Sequence, residues 1–203
     1  IMSKEISLVT GANGHLGNNL VRLLLSKNHK VRASVRNLKN KQPFDGLACE
    51  IVHADITDRE SLKKAFKNVT NLYAVGANFS LWAKNPKVEI YDNNVQGTQN
   101  VFDIANECGI KNIVFVSSVA SLDFTKLPAN VVNGYNKDRR NWYYNSKNDS
   151  DKLALELGKK YGIRTVLVLP SAMIGSEAHK LSYSNNLVSW IANLHEKETN
   201  KDG

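Results

Sequence analysis

Short runs of β-branched and apolar residues alternate along the chain with longer segments whose apolar positions recur at helical spacing. The runs Ile6–Thr10, Val31–Val35, Glu50–His53, Leu72–Val75, Asn112–Ser117 and Thr165–Leu169 predict six strands. Leu16, Leu20, Leu23 and Leu24 mark a helix after the first strand. Thr57-Asp58-Arg59-Glu60 reads as a capping box that opens a second helix running through Phe66. Longer helices are expected over 88–107 and 143–160. Strands and helices in alternation are βαβ units, and their right-handed crossovers put helices on both faces of a parallel sheet. The expected fold class is therefore α/β, a doubly wound parallel sheet.

Composition narrows the function classes. With 203 residues, of which 42% are hydrophobic, the chain can bury one sizeable core. No run of about 18 apolar residues is present to span a bilayer, and no apolar leader precedes the first strand, so no membrane partner and a cytoplasmic location are expected. Cys49 and Cys108 lack a C-x-x-C spacing, and the five histidines form no H-E-x-x-H pair, so no metal is expected. The net charge of +8 comes from Lys and Arg spread along the chain without a basic helix, which points to a small polyanion and not to nucleic acid.

The first strand runs into Thr10-Gly11-Ala12-Asn13-Gly14-His15-Leu16-Gly17, with a helix starting inside the motif. In that context Gly11 permits a tight turn, Gly14 lets the backbone approach a pyrophosphate, and Gly17 lets helix pack on strand. The helix N-terminus adds free N–H groups and the positive end of its dipole. A Rossmann-type dinucleotide site follows, with Gly11, Asn13, Gly14, His15, Leu16 and Gly17 as its phosphate loop.

The G-x-x-G-x-x-G spacing after a threonine resembles the short-chain dehydrogenase/reductase superfamily, in particular its extended branch of nucleotide-sugar epimerases and dihydroflavonol reductases. The resemblance spans nearly all of residues 4–175. It includes Ala54-Asp55-Ile56, where the family's Asp faces the adenine; Ala74-Val75-Gly76-Ala77, which lines the cofactor; and Asn94-Val95-Gln96-Gly97-Thr98. The stretch Ala77-Asn78-Phe79-Ser80-Leu81-Trp82-Ala83 is most similar to hopanoid-associated sugar epimerases. The resemblance implies a dinucleotide-binding domain over 1–170 that also carries the catalytic residues. Residues 171–203 are expected to begin a substrate-binding part that the chain leaves largely incomplete. Pairing of two copies through the long helices is implied as well.

The resemblance directs attention to a Ser, a Tyr and a Lys. Ser118 follows the fifth strand, where a hydroxyl faces the cleft of a doubly wound sheet. Tyr143 and Lys147 stand four residues apart in Tyr143-Tyr144-Asn145-Ser146-Lys147, which puts them on one helix face. A phenol titrates near 10, so acid-base work at neutral pH needs the Lys147 ammonium and the positive oxidised nicotinamide to favour the anion. Lys147 can also bond the nicotinamide ribose, while Ser118 bonds the substrate oxygen. Tyr144 is a rival to Tyr143 at i,i+3 from Lys147. Asn94 either orients water near the trio or caps a helix; Phe79 and Trp82 either floor a substrate pocket or pack under a loop. Pro170 ends the last strand near the expected nicotinamide site. No catalytic role is read into Leu122–Asn141.

Cofactor choice turns on the end of the second strand, where NAD enzymes usually place an acid. Here Arg36 stands nineteen residues after Gly17, as in the dihydroflavonol-reductase pattern. With Lys39 or Lys41 it could hold the 2′-phosphate of NADP, with Arg32 a weaker candidate; NAD is the alternative. The expected activity is an NADP-dependent reductase or dehydrogenase acting on a carbonyl or secondary alcohol of a small molecule. A nucleotide-sugar epimerase and a non-catalytic redox sensor are the other readings.

Overall fold

The computed structural model describes residues 5–76, 83–175 and 188–189. The strands are β1 (Ile6–Val9), β2 (Lys30–Val35), β3 (Glu50–His53), β4 (Val69–Ala74), β5 (Asn112–Val116) and β6 (Arg164–Val168). They form one sheet in the order β3-β2-β1-β4-β5-β6, and each neighbouring pair is parallel. The helices are α1 (His15–Ser26), α2 (Arg59–Phe66), α3 (Asn93–Glu107) and α4 (Trp142–Tyr161). Among the described residues, no helix is long and apolar enough to cross a membrane.

Position in the sheet explains each strand's composition. Central β1 is buried at every residue, whereas no residue of edge strands β3 and β6 is fully buried, and β6 alternates between half-buried and exposed positions. Ile6 and Leu8 face a core completed by α2, α3 and α4, including the fully buried Phe66 and Phe102. Burying each of these rings stabilises the fold by about 1.5–3 kcal/mol. Val9 joins Val31, Ala33 and Val35 against α1 on the other face.

Several local expectations are corrected. In α1 the inward face is Gly17, Asn18, Val21 and Leu24, while Leu23 is exposed. The cap of α2 is Asp58, which accepts the amides of Glu60 and Ser61 at 3.1 and 3.2 Å. Thr57 is not the cap; its amide and hydroxyl both donate to the Asp55 carboxylate, at 2.9 and 2.8 Å. The expected helix over 88–107 is two pieces, a π-helical turn Lys87–Asp92 followed by α3. Strand β4 starts earlier than its apolar run, at Val69, through a register shift opposite Ile6 and Ser7. Of the expected apolar stretch Leu187–Leu194, only Val188 and Ser189 lie within the described residues.

Candidate functional site

The sheet order reverses between β1 and β4, and ligands of doubly wound sheets bind outside the carboxyl ends of the strands at such a point. A cleft of about 1250 Å³ opens there, and all six strands contribute to it: Thr10, Arg36, Asp55, Gly76, Ser118 and Pro170 each follow a different one. The Thr10 hydroxyl ties the two sides of the reversal together by accepting the amides of Val75 and Gly76 at 3.0 and 3.1 Å.

Gly11, Asn13, Gly14, His15, Leu16 and Gly17 line the floor of the cleft. Gly11 sits at φ 59°, and a Cβ there would come within 2.8 Å of the Gly76 Cα. A Cβ on Gly17 would run into the Gly11 carbonyl and the Ala12 Cα, so the helix reaches the strand only without one. Helix α1 begins after Gly14 with no side-chain cap, which leaves its first-turn amides to a ligand or solvent. Such a cradle fits a dinucleotide pyrophosphate.

At the adenosine end, Arg36, Asp55 and Ile56 line the cleft. Burial pushes the Asp55 carboxyl up, but hydrogen bonds from Thr57 and the charge of Arg36 outweigh it and hold the group below its ordinary value. Asn37, missed in the sequence, lines the cleft beside Arg36, whereas Lys39 does not reach it. Lys39 is exposed, with its amide bound to the Asn37 side chain at 2.9 Å. Arg32 is no phosphate ligand: its guanidinium pairs with Glu50 at 2.7 Å and donates to the carbonyls of Ala65 and Lys67. Val75 and Gly76 line the cleft, while Ala74 is buried behind it.

Ser118, Tyr143 and Lys147 meet at the opposite end, beside Pro170. Ser118 and the Tyr143 phenol share a hydrogen bond, and the Lys147 Nζ lies 5.7 Å from the centre of the Tyr143 ring. Pro170 accepts the Val119 amide at 3.1 Å, holding β6 against the Ser118 segment. Asn141 caps α4 by accepting the amides of Tyr143 and Tyr144 at 2.9 and 3.2 Å. Tyr143 turns inward, while Tyr144 stays exposed with its ring edge-on to Tyr143.

Burial dominates the electrostatics at this end. Burial pushes the Tyr143 phenol above its ordinary value, and the Ser118 hydrogen bond only partly opposes this. Burial likewise lowers the Lys147 ammonium, against an upward pull from Asp151. The protein's own side chains thus keep Tyr143 a neutral acid.

Asn94 is not a helix cap. It is buried in the first turn of α3, donates to the Ser146 hydroxyl at 3.2 Å, and shares with Lys147 a small cavity of about 20 Å³. That volume suits a single water. Phe79 and Trp82 lie outside the described residues. Apolar surface in the cleft comes instead from Phe124, Trp142, Tyr144 and Met173. Arg139 pins this rim to α4 through Asp149 at 3.0 and 2.6 Å, and Tyr91 donates to the same carboxylate at 2.7 Å.

Comparisons with known proteins agree with this geometry. A family model described as the NAD dependent epimerase/dehydratase family matches residues 7–202. Sterol demethylase protein B of Methylococcus capsulatus is 40% identical over 116 residues, covering 57% of this chain and 35% of that protein. Cinnamoyl-CoA reductase 1 of Petunia hybrida is 28% identical over 192 residues, covering 86% of this chain and 56% of that protein. Yeast methylglyoxal/isovaleraldehyde reductase Gre2, solved with NADPH, superposes with a TM-score of 0.75 at 19% identity, over 84% of this chain and 58% of that one. The chain therefore spans between 35% and 56% of the length of the two sequence relatives. It belongs to the NAD dependent epimerase/dehydratase family, the extended branch of the short-chain dehydrogenase/reductases that its motifs resemble.

Proposed function

We propose that this chain is the cofactor-binding and catalytic part of an NADP-linked reductase or dehydrogenase, acting on a carbonyl or secondary alcohol of a small organic molecule. The observation that carries the reading is the junction of Ser118, Tyr143 and Lys147 at one end of the cleft that also holds the glycine loop. When bound, the nicotinamide supplies or accepts the hydride. Ser118 donates a hydrogen bond to the substrate oxygen, where negative charge builds during reduction. Tyr143, held neutral by burial, gives its proton to that oxygen, and in oxidation the phenolate takes it back. Lys147 stabilises the phenolate and bonds the nicotinamide ribose.

Arg36 supports NADP as the preferred cofactor, because it lines the adenosine end with no acidic side chain at the position where NAD enzymes carry one. Asp55, across from it, is already hydrogen-bonded to Thr57 at 2.9 and 2.8 Å. Following the absorbance of reduced nicotinamide with purified full-length protein, each cofactor, and a panel of ketones, aldehydes and sugar nucleotides tests the proposal. Oxidation of NADPH by ketones or aldehydes is expected; sugar-nucleotide isomerisation without net change in absorbance would replace it with the epimerase reading.

A further inference from the structure

The cleft chemistry leaves one buried acid unused. Asp151 lies on α4 one turn beyond Lys147 and has no exposed surface. A carboxylate in that position must be paired, hydrogen-bonded or protonated. Neither oxygen meets a partner at full hydrogen-bonding geometry. Burial pushes the Asp151 carboxyl above its ordinary value, while the Ser117 and Ser121 hydroxyls and the Lys147 charge pull the other way.

These neighbours link Asp151 to both elements that carry the proposed trio. Ser117 directly precedes Ser118, and Ser121 donates to the Ser118 carbonyl at 3.0 Å. On its other side Asp151 stands behind Lys147, which is itself 8% exposed. An ammonium so buried loses its hydration and needs a counter-charge to stay protonated. Among the described residues, Asp151 is the carboxylate that acts on it.

The groups on the surrounding elements leave this pairing without a rival. The segment after β5 brings Ser117 and Ser121, and the rim brings the Tyr135 phenol, which the Asp151 charge pushes upward along with burial. Tyr143 faces the amine from the same helix. Helix α3 and the end of β1 bring only uncharged Asn94, Thr98 and Thr10 to the small cavity that Lys147 lines. The π-helical turn meets α4 at Asp149, where Tyr91 bonds and Arg139 is already paired. Strand β6 meets α4 farther along, at Gly158 and Thr165.

We propose that Asp151 is a positioning residue for the trio: its buried carboxylate, one turn along α4 from the buried Lys147, retains the charge of that amine. The proposal rests on the reductase reading for its consequence in catalysis, but the charge pairing itself does not. Loss of the carboxylate leaves Lys147 as a lone buried cation, so the amine tends to shed its proton and the Tyr143 phenolate loses its support.

Two measurements on the full-length protein separate these parts. In a denaturation cycle near pH 7, Asp151→Asn and Lys147→Met each lower the unfolding midpoint, and the double variant is expected to recover much of the combined loss. Additive losses would overturn the pairing whatever the enzyme does. Should Asp151→Asn fail to fold, Lys147→Met alone decides. With its cation gone, the Asp151 carboxyl titrates higher in the folded than in the unfolded chain, so stability present at acid pH is lost as pH rises through the folded value. The gap to wild type is then expected to widen between about pH 4 and 7, and a constant gap would count against the proposal.

The second measurement is the pH profile of turnover. Asp151→Asn is expected to move the limb that reports Tyr143 upward by about one pH unit, and Asp151→Glu to bring it back. Turnover lowered equally at every pH would reduce Asp151 to a structural role. If no substrate is turned over by wild type, the reductase reading fails while the denaturation cycle still tests the pair.

Discussion

The Thr10 hydroxyl accepts the Gly76 amide at 3.1 Å, closing the gap between the ends of β1 and β4 at the point where the sheet order reverses. The same oxygen takes the Val75 amide at 3.0 Å. Thr10→Val keeps the shape and removes both bonds. It is expected to cost about 1–3 kcal/mol in chemical denaturation, the range for amides left without an acceptor, while Thr10→Ser should cost much less. Equal losses in the two variants would show that packing, not the hydroxyl, matters there.

The two arginines of the second βα unit have separate duties. Arg36→Asp is expected to weaken NADP by about 1.5–3 kcal/mol, as for hydrogen bonds to charged groups, and to leave NAD unchanged or tighter. Arg32→Met instead breaks the bond to Glu50 and those to the Ala65 and Lys67 carbonyls, so it should lower stability and leave the NADP to NAD ratio alone. Titration of both variants with both cofactors, beside a thermal melt, checks this division.

Tyr143→Phe removes the transferable proton and keeps the ring that packs under Lys147. Turnover is expected to fall by orders of magnitude with cofactor affinity nearly intact. Tyr144→Phe, at an exposed position, should change turnover little. The opposite ranking would mean that Tyr144 is the acid.

Helix α3 crosses close to the adenosine end at Gly97, where a Cβ would lie 2.5 Å from the Ile56 Cδ1. Gly97→Ala should therefore push Ile56 into the cleft it lines and weaken the cofactor, besides an overpacking cost of about 1–3 kcal/mol. Ile56→Val removes the nearest methyl and is expected to restore part of the affinity; no recovery would place the effect elsewhere.

How much of this was readable in advance depends on the range of the interaction. Strand β1, buried at every residue, is apolar apart from Ser7, and the glycine loop announces itself because strand, glycines and helix are contiguous. Ser118, Tyr143 and Lys147 were found by family likeness, and the fold brings them together. Contiguity also misled: Lys39 is near Arg36 in the chain, yet the loop turns it to solvent. Thr57 and Asp58 are both good caps; Asp58 takes the role, and Thr57 bonds Asp55. The π-helical turn escapes a search at helical periodicity, since its wider winding breaks the spacing. Phe124, Trp142 and Met173 reach the cleft from three segments that no local pattern relates.

Tyr143 occupies the first turn of α4, and helix ends are where backbone order is weakest. The proposed acid is therefore present only while that turn is wound, and Asn141 is its latch. Weakening a cap by about 1 kcal/mol multiplies the unwound population roughly fivefold. Fraying of one helical turn, visible as faster amide exchange at Tyr143 and Tyr144, thus sets a ceiling on how much of the time the site is assembled.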